Sequence, residues 1–475
     1  MERIGTDICV IGAGSGGLSV AAGAVQMGAR VVLIEGAEMG GDCLNAGCVP
    51  SKALIAAAKA AQGMREAGRF GLTAVEPAVD FGAVKDHVAR VIATIAPVDS
   101  QARFEGLGCR VIRDWGRFIS PREVQAGGCV IRARRFVIAT GSRPVVPDVP
   151  GIAGVEVLTN ETVFALRTRP EHLLILGGGP IGVEMAQAHR RLGCAVTLIE
   201  AGPRCLARED AAAAEVVLAR LRAEGVRVLE GVAVARLERD AAAGIVGHLS
   251  DGQVVQGSHL LVAAGRRVAL ERLDLAAGGV AQDGRGVTVG PGLRSVSNRR
   301  VFAVGDAVGA GQFTHLAGYH AGVVIRQAVL GLPARLRADH IPRVTFTDPE
   351  LAQVGPTESE ARAAHGAAVQ VALADLAHND RAQAQGGAVG FAKLMILRGR
   401  VIGATVVGPQ AGEVLAPLAL AVAGRMKVSA LAAVVLPYPT LAELGKRAAG
   451  AYFSPKLFDN PAVKRMVRLV QRILP

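Results

Sequence analysis

The chain has 475 residues and a formal net charge of +12, a length that calls for about three domains, each with its own core. Apolar residues make up 51%, but aromatics only 3%, and 60 residues are glycine, so the apolar content reflects small-residue packing. The longest apolar window, 414–423, is too short to cross a bilayer, and the arginines are scattered rather than blocked, which argues against nucleic-acid binding.

Met1 runs almost directly into a strand with no leader-like segment, so a cytoplasmic address is expected. The seven cysteines are an odd number in a long chain of that type, which argues against a disulfide framework. Cys9, Cys109, Cys129 and Cys194 sit in or beside apolar runs and read as core.

In chain order, residues 7–11 read as a buried parallel strand, followed by Gly12-Ala13-Gly14-Ser15-Gly16-Gly17 and an Ala-rich helix. Gly12, Gly14 and Gly17 permit a tight turn that brings backbone N–H groups up to a pyrophosphate at the helix N-terminus. A second strand, 30–34, ends in Glu35, an acid placed to bind ribose hydroxyls. Next comes Gly40-Gly41-Asp42-Cys43-Leu44-Asn45-Ala46-Gly47-Cys48-Val49-Pro50-Ser51-Lys52. Two cysteines in a glycine-rich run at the start of a helical pattern sit where unpaired N–H groups favour a thiolate. Taken alone, the pair leaves redox chemistry and metal binding open but reads first as two inert buried thiols, because free Cys is usually a small hydrophobe.

Helices are expected over 50–68 and 81–107, and strands within 110–119 and over 129–138. The strand that ends at Ile138 delivers Ala139-Thr140-Gly141. A boundary is expected after Pro150-Gly151. The strand–loop–helix–strand–acid pattern then recurs: strand 172–176, Gly177-Gly178-Gly179-Pro180-Ile181-Gly182, a helix to 192, strand 195–199 and Glu200. Two dinucleotide folds imply two dinucleotides and electron transfer between them. Glu200 would repel a 2′-phosphate and favours NADH, although Arg204 leaves room for NADPH. A strand at 260–262 and Gly265 close this unit, and 300–306 reads as a strand delivering Gly305 and Asp306.

From 341 onward the expectation is an α+β oligomerisation domain, with strands at 344–347, 390–397 and 401–407 and helices at 357–364 and 411–424. A final basic amphipathic helix after Asn460-Pro461 is expected to pack on a partner subunit rather than on a membrane surface. The units are 1–150, 151–270, 271–340 and 341–475, and the fold class is α/β with two Rossmann-like domains.

From end to end the chain resembles the class I pyridine nucleotide-disulfide oxidoreductases, the family of dihydrolipoamide dehydrogenase, glutathione reductase and mercuric reductase. The resemblance rests on the 40–52 run, on Ala139-Thr140-Gly141, on 301–306 and on Phe346-Thr347-Asp348-Pro349-Glu350. It implies FAD in the first fold, a nicotinamide cofactor in the second, a homodimer, and electrons passing to a Cys43–Cys48 disulfide. Cys48 is then the thiol next to the flavin and Cys43 the one that meets substrate, with Lys52 and Glu184 as a charge pair beside the isoalloxazine. Gly41, Lys52, Thr140, Gly141, Asp306 and His315 join the glycine loops as expected cofactor contacts.

The sequence departs from the family pattern in informative places. Where dihydrolipoamide dehydrogenases carry His-Pro-Thr-x-x-Glu, this chain reads Tyr438-Pro439-Thr440-Leu441-Ala442-Glu443. A phenol with an ordinary pKa of about 10 is a poor general base. Asp42 stands where Thr is usual, the run after Gly265 lacks Pro-Asn, and no cysteine follows Cys205, so the terminal cysteine pair of mercuric reductases is absent. The expected function is a mercuric-reductase-like oxidoreductase delivering electrons to a metal ion, quinone or disulfide. Dihydrolipoamide dehydrogenase and a flavin-bearing sensor of little turnover are the competing readings.

Overall fold

The computed structural model describes residues 1–240 and 244–474. Strand Glu2–Ile11 lies at the centre of the first sheet, parallel to Val31–Ile34 on one side and Cys129–Ile138 on the other. Buried apolar side chains line both faces here, which is why these segments read as continuous hydrophobic runs. Strand Val301–Ala303 returns to pair with Cys129–Ile138, so the sheet is assembled from residues on either side of the second unit. The first strand begins five residues earlier than its apolar pattern, because Glu2–Gly5 find hydrogen-bond partners on Cys129–Arg132. That pairing is invisible to hydropathy.

The second parallel sheet has the order Arg227–Glu230, Ala195–Glu200, His172–Leu176, His259–Val262, Val157–Leu158. A three-stranded antiparallel sheet, Val234–Asp240, Gly244–Leu249 and Val254–Gly257, is attached to it.

The last sheet is antiparallel, in the order Pro342–Thr345, Glu350–Val354, Arg400–Gly408, Phe391–Leu397, Val369–Asp375. Helices Ala411–Ala423 and Glu443–Ala451 bury Leu415, Leu418, Leu444 and Ala448 in the core of this domain.

Several boundaries differ from the sequence expectation. The 81–107 pattern is two helices, Phe81–Asp99 and Gln101–Gly106, because Ser100 turns extended and caps the second by accepting the Arg103 N–H. Residues 110–119 split into strands Arg110–Ile112 and Arg117–Ser120. The helix expected from 50 starts at Cys48 and ends at Arg65, which places Cys48 itself in the first turn. Among the described residues no helix is long and apolar enough to cross a membrane.

Candidate active site

Both glycine loops are built alike. At Gly12, where φ is +105°, a Cβ would fall 2.4 Å from the Ala139 carbonyl oxygen; at Gly177, with φ +110°, it would fall 2.5 Å from that of Ala263. A Cβ on Gly17 would meet the Gly12 oxygen at 1.8 Å, and one on Gly182 the Gly177 oxygen at 1.9 Å. Each loop is thus pinned between its own helix and the next strand of its sheet. Space beside Gly14 and Gly179 stays open, with nothing nearer than 3.9 Å.

The acids follow the same scheme. Glu35 accepts the N–H groups of Ala13 (2.5 Å) and Ala37 (2.7 Å), and Glu200 those of Gly178 and Gly202 (both 2.6 Å). A dinucleotide fits these cradles, since backbone donors at a helix N-terminus face open space. For FAD there is a second sign: the Thr140 Oγ1 is buried without a hydrogen-bond partner among the described residues, a group that a bound cofactor can satisfy.

The cysteine run docks directly on the first glycine loop. The Gly40 N–H donates to Ala13 O at 3.0 Å, and a Cβ on Gly41, at φ +61°, would come 2.7 Å from the Gly14 Cα. Cys43 lies in the short helix Gly41–Asn45, and Cys48 opens the long helix Cys48–Arg65. The two thiols are free and hydrogen-bond each other. Cys48 is lowered to about 6, chiefly by the hydrogen bond from Cys43, then by Thr314 and the Lys52 charge, against burial and Glu184. Its Sγ is 3.5 Å from Thr314 Oγ1. Cys43 is pushed up because it holds the proton shared with that thiolate.

One helical turn on, Lys52 pairs with Glu184 at 2.8 Å. Glu184 is buried in helix Pro180–Arg191 of the second unit, and its other oxygen accepts the Phe346 N–H at 2.9 Å. Lys52 Nζ also sits 4.3 Å from the Phe346 ring centroid. Residues from three parts of the chain therefore hold one cation near Cys48.

A polar network flanks the site. Arg266 donates to Ser142 Oγ (2.8 Å), which donates to Asp306 (2.6 Å), and also pairs with Asp42 at 3.3 Å. Asn160 reaches the other Asp42 oxygen at 2.8 Å. Burial raises the Asp306 carboxyl. Beneath it, the Gly305 N–H donates to Nδ1 of His320 at 3.1 Å, and burial pushes that imidazole down to about 4, so it acts as a neutral acceptor. Asp42 and the run after Gly265 looked like unrelated departures in the sequence, yet in the fold they meet. Gly265, at φ +130°, accepts the Val145 N–H through its carbonyl. Thr314, Asn160, Ser142 and Arg266 were not singled out from sequence; of these, only Ser142 and Arg266 lie inside motifs that drew attention.

Three other expected residues make their hydrogen bonds to groups other than the thiols. His315 stacks on Phe313 and hydrogen-bonds the Pro342 carbonyl at 2.8 Å. Tyr438, 68% exposed, donates its hydroxyl to Asp380 at 2.6 Å, a bond that raises it further above a useful base range. Glu443 accepts the Thr440 N–H at 3.3 Å. Both of these bonds stay within the C-terminal domain.

The pyridine nucleotide-disulphide oxidoreductase family matches residues 6–321 and that family's dimerisation domain matches 341–449. The chain is 36% identical over 464 residues to mercuric reductase of Streptomyces lividans, covering 95% of this chain and 97% of that protein. It is 35% identical over 449 residues to dihydrolipoyl dehydrogenase of Thermus scotoductus, covering 92% and 95%. Among solved structures, LpdA of Mycobacterium tuberculosis superposes with a TM-score of 0.86 at 28% identity, covering 95% of this chain and 99% of that one. The HOCl-induced flavoprotein disulfide reductase RclA of Escherichia coli gives 0.84 at 27%, covering 94% and 99%. FAD and NAD(P)H are the cofactors of this family. The chain belongs to the pyridine nucleotide-disulphide oxidoreductases.

Proposed function

We propose that the protein is a homodimeric NAD(P)H oxidoreductase whose Cys43–Cys48 pair cycles between disulfide and dithiol and hands two electrons to a soft, thiol-seeking metal ion. The observation that carries this reading is the geometry of the thiol pair: Cys48 opens a helix, its Sγ lies 3.5 Å from Thr314 Oγ1, Lys52 follows one turn on in its pair with Glu184, and the cysteine run docks on the first glycine loop, surroundings that lower the Cys48 thiol. Bound FAD supplies hydride acceptance from NAD(P)H and electron delivery to sulfur. The chain's own residues do the rest. The cradle of Gly12, Gly14, Gly17 and Glu35 and the donors around Asp306 bind and orient FAD, and Gly177, Gly179, Gly182 and Glu200 do so for NAD(P)H. Lys52, held by Glu184, stabilises negative charge beside Cys48. Two electrons and one proton convert the disulfide to a Cys43 thiol and a Cys48 thiolate; when a divalent metal ion takes up those two electrons, the disulfide re-forms and the proton is released.

Three observations support the finer points. Among the described residues no cluster of three His, Cys, Asp or Glu side chains is placed to hold a metal, so a metal-ion substrate would rest on the two thiolates, which suit soft ions. Tyr438, bonded to Asp380, offers no base to deprotonate a dithiol substrate. Arg204 spends its guanidinium on the carbonyls of Leu206, Ala207 and Glu209 rather than facing a 2′-phosphate, which with Glu200 favours NADH. Structures of RclA include a Cu(II) complex.

The test is NADH oxidation with Hg(II), Cu(II), a quinone or lipoamide as acceptor. Metal-dependent turnover that disappears in Cys43→Ser and Cys48→Ser is expected; full turnover in both serine variants would sink the proposal. Dihydrolipoamide dehydrogenase is the second reading, favoured by the likeness to the Thermus protein. Tyr438→His is expected to raise lipoamide turnover on the order of 10²-fold, the usual worth of a general base. High lipoamide activity in the unmodified protein would favour the second reading instead.

A further inference from the structure

The chain ends in helix Pro461–Ile473, started by Asn460, whose side chain accepts the Ala462 N–H at 2.9 Å. Spaced at 100° per residue, Val463, Met466, Val467, Val470 and Ile473 fall on one side and Lys464, Arg465, Arg468 and Arg472 on the other. None of these side chains is buried: Met466 is 59% exposed, Val470 39% and Ile473 72%. The preceding short helix, Ser454–Phe458, adds Phe458 at 68%. From 460 to 475 the sequence contains no Asp or Glu. The match to the family's dimerisation domain ends at residue 449, before this helix begins.

Residues 460–475 set four cations and no acid beside the apolar face, so charge complementarity points to an anionic surface as its occupant. A layer of anionic phospholipid answers both faces at once. Apolar side chains enter the boundary between headgroups and acyl chains while Lys and Arg stems reach back to phosphates. Thirteen residues span about 20 Å, too short to cross a bilayer and suited to lying in its surface. We propose that the Pro461–Ile473 helix docks the enzyme on anionic lipid surfaces, in the plane of the interface. The proposal does not depend on which acceptor the active site serves.

Sedimentation of the FAD-loaded, full-length protein with vesicles of phosphatidylcholine, alone or mixed with phosphatidylglycerol, tests this directly. Co-sedimentation with the mixed vesicles only, reversed by salt, is expected. Arg468→Gln with Arg472→Gln should weaken that partition on the order of tenfold. Val467→Glu should abolish it while flavin content and NADH oxidation stay unchanged. Failure to bind anionic vesicles, or equal binding to neutral ones, overturns the proposal. So does a Val467→Glu variant that falls from dimer to monomer in sedimentation equilibrium, which would assign the face to a second copy.

Discussion

At Cys48, three influences combine in one direction: a hydrogen bond from Cys43, another from Thr314, and the field of Lys52. Ordinary cysteine titrates near 8.5, so the reduced protein should expose a thiolate at pH values where other thiols are protonated. Alkylation of the reduced enzyme by iodoacetamide, followed against pH, should rise with a midpoint near 6 at this residue. Lys52→Met removes a charge that favours the thiolate, so the midpoint should move up; an unchanged midpoint would mean that Lys52 does not act on the sulfur. Cys9, Cys194 and Cys205 lie buried, and burial raises their thiols, so they should stay unlabelled in the folded protein. Reactivity here follows from what surrounds a sulfur rather than from the number of cysteines.

The strand–loop–helix units place those groups. In the second unit, Gly177 must adopt a conformation that an L side chain resists, and a Cβ there would press on the Ala263 carbonyl. Gly177→Ala therefore asks the loop to move at the point where a dinucleotide approaches, with strain of about 1–3 kcal/mol. The expected outcome is NADH binding weakened roughly 10- to 100-fold with FAD content retained, checked by titrating NADH against the purified flavoprotein. The first loop has the same geometry at Gly12 and Ala139, so the corresponding change there should cost FAD instead. What neither loop reveals locally is the contact of Gly41 with Gly14, through which the cysteine run is set against the first cradle.

Across the whole molecule, the second unit is tied to the C-terminal domain by Arg191. Its guanidinium pairs with Glu224 at 2.6 Å and with Asp348 at 3.0 Å, while Gln187 bonds the Asp348 backbone from the same helix. Such ties keep Phe346 against Lys52. Two buried imidazoles, His189 in the second unit and His320 under Asp306, are pushed down to about 4 by burial. In the unfolded chain a histidine binds its proton near 6.5. The stability these neutral rings contribute is complete above that pH and is lost as pH falls toward 4, by roughly 3 kcal/mol each. Thermal melts from pH 7 to pH 4 should show a falling midpoint, with a shallower fall in His320→Asn; an identical slope in that variant would exclude His320 as a source.

The sequence by itself determined what is local. Runs of buried strand residues, glycines at positions with positive φ, and an acid at each strand end are encoded within a few residues of where they act. Both dinucleotide units and the Cys43–Cys48 run were therefore legible, and so, through the family pattern, was the Lys52–Glu184 pair. Only the tertiary structure decided what depends on chain crossings. Strand Val301–Ala303 joins a sheet begun some 300 residues earlier, and helix Thr314–Ala328 that follows it brings Thr314 to Cys48. Asp42 and Arg266 meet because the 142–144 and 266–268 strands pair, and Tyr438 finds Asp380 across its own domain. A hydrogen bond or ion pair acts over a few ångströms whatever the distance along the chain, so such partners follow from the topology rather than from any sequence window.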